Sequence, residues 1–112
     1  MADQQAFVDY LLELLEDFGD VTSKRMFGGY GIFRDELMFG LVADSTLYLK
    51  VDEQNRPDFE ALSLSPFMYM KKDRPVQMSY YQAPGEALDS AEAMNLWAHS
   101  AFQAALRAQK QK

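Results

Sequence analysis

Apolar residues Phe7, Leu11, Leu14, Leu15 and Phe18 recur at intervals of three and four, and Asp9, Glu13, Glu16 and Asp17 fall mainly between them. That spacing predicts an amphipathic helix over residues 3–18, with Asp3 as its N-cap and Gly19 as its stop. From about Thr22 the period shortens. The runs Lys24 to Phe27, Tyr30 to Arg34, Leu37 to Ala43 and Thr46 to Val51 are β-rich, and they are separated by Gly28-Gly29, Asp35-Glu36 and Asp44-Ser45. Short strands with two-residue breaks predict consecutive hairpins in an antiparallel meander. In the last run Leu47, Leu49 and Val51 alternate with Tyr48 and Lys50, which predicts one face toward a core and one toward water.

Residues 53–65 lose the alternation, and Pro57 ahead of Asp58-Phe59-Glu60 suits the first turn of a short helix. Two further strands follow, Phe67 to Lys71 and Val76 to Gln82, joined across Asp73-Arg74-Pro75; Pro84-Gly85 then ends the sheet. Asp89 with Glu92 three residues on resembles a capping box, and Met94, Trp97, Ala98, Ala101, Ala105 and Ala108 trace a helical stripe toward the C-terminus. The order of elements predicts an α+β domain spanning 1–112, with helices on one face of an antiparallel sheet. The other face is expected to stay partly open and to carry Tyr48, Met68, Met70 and Tyr81, as a partner surface or a homodimer interface.

Composition narrows the functions. With 112 residues, 48% hydrophobic and 25% charged, the chain is sized for one core. The absence of cysteine excludes disulfides, thiolate metal sites and thiol catalysis. The N-terminus has no basic, signal-like region and no apolar run reaches membrane-spanning length, so the expected address is the cytoplasm, with no membrane partner. The net charge is −6, and the first 20 residues hold six acids and no base, whereas residues 24–74 carry eight bases against eight acids. Direct DNA binding usually needs a basic face, so this balance disfavours it, although Lys24, Arg25, Lys71, Lys72 and Arg74 form local basic groups.

Candidate chemistry is sparse. His99 is the single histidine and has Asn95 and Gln103 at its i±4 positions, so it lacks a partner for catalysis or metal binding. The pairs Asp35-Glu36 and Asp52-Glu53 read as turn residues, and the alternating acids of a calcium loop are missing. No cofactor, metal site or catalytic residue is expected. The most distinctive stretch is Arg25-Met26-Phe27-Gly28-Gly29-Tyr30-Gly31. It has β-like residues on both sides, so it predicts a glycine-kinked hairpin and not a phosphate loop, which must open a helix. Arg25 is the best single polar contact, to a partner's carboxylate or phosphate or to an acid of the first helix.

Taken in order, Arg25 to Phe33, Leu37-Met38-Phe39, Leu47 to Asp52, Pro66 to Tyr69 and Met78-Ser79-Tyr80-Tyr81 with Pro84 closely resemble the N-terminal domain of the TfoX/Sxy family, over about residues 5–108. The resemblance implies a helix, a five-stranded antiparallel sheet and a closing helix, like type III secretion chaperones. It also implies a role like that of regulators of competence for DNA uptake, which act as co-activators with the cAMP receptor protein. Those regulators carry a further C-terminal domain, so this chain is expected to be a stand-alone N-terminal module.

The expected function is therefore that of a non-enzymatic bacterial regulator or adaptor that contacts a protein, such as part of the transcription machinery. The candidate partner-binding residues are Arg25, Met26, Phe27, Gly28, Gly29, Tyr30, Gly31, Lys50, Tyr69, Tyr80 and Tyr81. The alternative is a chaperone-like homodimer that holds a peptide or small ligand on the open sheet face, favoured by the apolar strands Phe67 to Met70 and Met78 to Tyr81.

Overall fold

A computed structural model describes residues 4–26 and 28–110. The proposed N-cap Asp3 and the candidate Phe27 lie outside them. Helix α1 (Gln4–Leu14) is shorter than its apolar period suggests, because Glu16–Phe18 tighten into a 3-10 turn. The Leu15 amide is shared between the Leu11 and Leu12 carbonyls, and the Phe18 amide bonds back to Leu15. Tightening the turn keeps Phe18 in the core, where its ring lies 5.5 Å from Phe39 and 6.1 Å from Phe102.

Strands β1 (Val21–Met26), β2 (Gly29–Arg34), β3 (Leu37–Ala43) and β4 (Thr46–Lys50) form the expected meander. The breaks Asp35-Glu36 and Asp44-Ser45 both place two consecutive residues in the left-handed region, at φ values of 51° to 65°. Such paired left-handed residues give a turn whose twist matches the flanking strands. Helix α2 (Arg56–Glu60), with Pro57 in its first turn, bridges to β5 (Pro66–Lys71) and β6 (Arg74–Gln82). The β5–β6 turn falls on Lys72-Asp73, also left-handed, and not on Asp73 to Pro75. Pro75 is therefore inside β6, where it pairs with Met70.

The sheet order is β1-β2-β3-β4-β6-β5, with every pairing antiparallel. Among the described residues it has six strands, one more than the family resemblance implies, because the two segments after α2 both join it. Helix α3 (Ala91–Lys110) crosses one face. Its cap is Ser90, whose hydroxyl accepts the Ala93 amide at 3.1 Å; Asp89, the cap expected from sequence, instead closes the preceding Gly85–Leu88 3-10 turn through its own amide. Met94, Ala98, Ala101 and Ala105 are buried as the stripe predicts, together with Phe102. The small alanines let the helix lie close to β3 and β4, over a core that includes Ile32, Phe39, Val42, Leu47 and Leu49. Tyr81 belongs to this core and not to the open face. It pairs with Leu49 across β4–β6, so both side chains point to the helices, and its ring lies 6.0 Å from Phe59.

Candidate partner-binding surface

The glycine-rich corner is built chiefly for close approach. A Cβ on Gly29 would stand 1.9 Å from the Val42 carbonyl oxygen, so only glycine lets β2 lie this close to β3. Gly28 takes φ +74° in open space and serves the turn itself. A Cβ on Gly31 would press on Met38, Phe33 and Met26. The corner is tied to α1, since the Gln4 side chain donates to the Gly28 carbonyl at 3.2 Å and accepts the Ser45 amide at 3.0 Å. Tyr30 is buried in the helix-side core, and its hydroxyl donates to Gln5 at 3.2 Å. Arg25 is exposed, with its guanidinium 5.9 Å from the centre of the Tyr30 ring. Its neighbour is thus an aromatic face, where the sequence offered an acid of the first helix.

Lys50, Tyr69 and Tyr80 lie elsewhere. Tyr69 is on β5, at the far edge of the sheet from Arg25 on β1. Five strand spacings separate them, roughly 24 Å. The candidate residues therefore do not converge on one site.

On the face away from the helices, Lys50 pairs with Tyr80, and its ammonium stands 5.3 Å from the ring centre. Burial lowers the Lys50 pKa, opposed by nearby Asp52, and burial pushes the Tyr80 phenol up to about 12. Leu41 and Tyr80 are as buried as the core yet stand outside its cluster. The open face thus shields its own centre with neighbouring side chains and leaves its margin exposed.

That margin is the β5–β6 ribbon. Strand β4 pairs only with Tyr80 to Gln82 of β6, so residues 74–78 have β5 as their single partner and the hairpin runs on past the rest of the sheet. Met68, Tyr69 and Met70 are 47%, 38% and 65% exposed. A row of rings leads onto the ribbon, Tyr48 to Phe67 at 4.9 Å and Phe67 stacked on Tyr69 at 6.5 Å. Phe67, Tyr69, Met70 and Met78 line a concavity of about 270 Å³. Lys71, Lys72 and Arg74 stand exposed at the tip.

The sequence that folds this way has a counterpart among known protein families. The profile of the TfoX N-terminal domain matches residues 13–105, most of the chain. The chain belongs to the TfoX N-terminal domain family. A curated relative, DNA transformation protein TfoX1 of Aliivibrio fischeri (strain ATCC 700601 / ES114), is 30% identical over 78 residues. The match covers 70% of this chain and 35% of the relative, so the chain spans about a third of the length of the curated relative it matches. In this TfoX N-terminal domain no helix among the described residues is long and apolar enough to cross a membrane. None of those residues form a group of three or more metal-ligating side chains, and His99 is exposed on α3.

Two features escaped the sequence. Asp52, read as a turn residue, is a junction: its carboxylate takes the Gln54 and Asn55 amides and a bidentate pair from Arg107 at 2.5 and 2.9 Å. The Arg107 hydrogen bonds, with smaller help from the backbone amides, hold the Asp52 carboxyl below its ordinary pKa and raise that of Arg107. Leu96 and Leu62 are exposed in a groove between α2 and α3. The available signal was Leu96 itself, an apolar residue that falls off the Met94, Ala98, Ala101 stripe.

Proposed function

We propose that this chain is a non-enzymatic adaptor of the cytoplasm that acts by protein contact in the control of DNA transformation, with a component of the transcription machinery as its partner. The observation that carries the proposal is the β5–β6 ribbon, whose Met68, Tyr69 and Met70 are exposed although apolar. Aromatic and methionine side chains presented on a narrow support are suited to anchoring in a partner's pockets. Family membership and the name of the relative support the biological setting. The buried Tyr30 and Tyr81 are assigned to the fold, and Arg25 to a secondary contact.

Affinity purification of the tagged chain from its native cells, beside a Tyr69→Ser/Met70→Ser variant and an Arg25→Ala variant, tests the proposal. A transcription regulator or polymerase subunit recovered with the wild type and lost with the ribbon variant is the expected result. A co-purifying set identical for all three chains would sink it.

A second reading, a module that holds a peptide or small ligand, is favoured by the concavity lined by Phe67, Tyr69, Met70 and Met78. It predicts that extended apolar peptides raise the melting temperature of the wild type and not of the ribbon variant.

A further inference from the structure

Two neighbouring hollows on the surface of the helical layer are acidic. A groove of about 480 Å³ between α2 and α3 is lined by Asp58, Leu62, Glu86, Leu96 and Trp97, with Glu86 held by the Trp97 indole at 2.8 Å. A second hollow, sharing Leu96, adds Asp17 and Glu92. The residues lining the two hollows include four carboxylates and no lysine or arginine. Their apolar floor is open: Leu62 is 49% and Leu96 71% exposed.

The ribbon tip has the opposite character. Lys71, Lys72 and Arg74 outnumber Asp73, and Met70 is the most exposed methionine beside them. All four charged tip residues are exposed, so the tip does not rest in the groove of its own chain.

We propose that the β5–β6 ribbon tip of one copy seats in the α2–α3 groove of a second copy, and that the exchange is reciprocal. The inference rests on reading the ribbon as a contact surface and names a second copy of the chain as its occupant. Met70 fills the space between Leu62 and Leu96, where its flexible thioether adapts to the open floor. Lys71, Lys72 and Arg74 face Asp58, Glu86 and Glu92. One ribbon in one groove is a small contact, below the roughly 1,200 Å² of a stable interface; two related by a twofold axis double it and close the assembly. Because the facing charges are near solvent, association weakens as salt rises.

The test is sedimentation equilibrium of the full chain at low and high salt, with two charge-reversed variants. One is Lys71→Glu/Lys72→Glu/Arg74→Glu on the ribbon and the other is Asp58→Lys/Glu92→Lys on the groove; circular dichroism checks that both are folded. The wild type is expected to be a dimer, and each variant to self-associate at least about tenfold more weakly. An equimolar mixture of the two restores the dimer, since each reversed ribbon then meets a reversed groove. Leu96→Asp, at an exposed position, supplies an independent weakening should Asp58→Lys disturb the first turn of α2. A wild type that stays monomeric, or a dimer indifferent to both reversals, overturns the exchange. A monomer that still captures a partner through Tyr69 would overturn the exchange alone. A dimer that responds to both reversals yet captures nothing supports the exchange and removes the adaptor reading.

Discussion

The β1–β4 meander and the β5–β6 ribbon are both made of tight antiparallel hairpins, yet they stand in different physical situations. The meander carries α3 on one face, so side chains such as Ile32, Phe39 and Leu49 are fully enclosed. Toward its tip the ribbon has strand pairing and little else, and Met68, Tyr69 and Met70 meet water. A buried residue is held by all its neighbours at once, whereas an exposed one contributes little beyond its local pairing. Residues of the same chemical kind therefore report on stability in one region and, under the proposed contacts, on association in the other.

The strongest way to break the contrast is to truncate the aromatic cluster. Phe39→Ala removes contacts with both Phe18 and Phe102 and is expected to cost about 3–5 kcal/mol by chemical denaturation. A cost below about 1 kcal/mol would mean the cluster is loosely packed. Next comes Gly29→Ala, which drives a methyl group into the Val42 carbonyl and should cost at least about 2 kcal/mol, while Gly28→Ala, strained only by its positive φ, costs about 1 kcal/mol. Equal losses at the two positions would contradict the close-approach explanation.

Smaller is the Asp52–Arg107 pair, worth about 1–2 kcal/mol as a partly shielded bidentate contact. The folded pKa of Asp52 is depressed, so its contribution is complete above the ordinary carboxylate value of about 4 and disappears as pH falls through the lower folded value. Arg107→Met should flatten that part of the acid limb of the stability curve; an unchanged limb would assign acid lability to other groups. Last, Met70→Ser should alter stability by no more than about 0.5 kcal/mol while reducing association. A large loss of stability there would erase the distinction between the two regions.

The alternation of Leu47, Leu49 and Val51 with Tyr48 and Lys50 was fully legible, because a strand half covered by helices must write that pattern into its sequence. Tyr81 was not. In Met78-Ser79-Tyr80-Tyr81 two adjacent tyrosines point to opposite faces, and the choice of face depends on pairing with β4, some 30 positions earlier in the chain. The glycine corner was legible as a bend, but its reason, the backbone of β3 behind Gly29, is a tertiary fact. The same holds for Asp52, whose guanidinium partner is 55 residues away. Local periodicity fixes which residues are apolar together; which charged residues meet is decided only after the helices dock.

Asn55 gives the docking of α3 a ruler. It is the one polar side chain among the buried described residues, and its amide donates to the Lys50 carbonyl at 3.1 Å and to the Ser100 hydroxyl at 3.2 Å, while its oxygen accepts the Asp52 amide at 2.7 Å. The alanine stripe by itself is smooth and would tolerate sliding. A helix displaced by one turn, about 5.4 Å, would carry Ser100 away and strand that amide at a cost of about 1–3 kcal/mol. The Asn55 amide thus acts with the Arg107–Asp52 pair and the Phe102 ring to set the axial position at which the helix comes to rest.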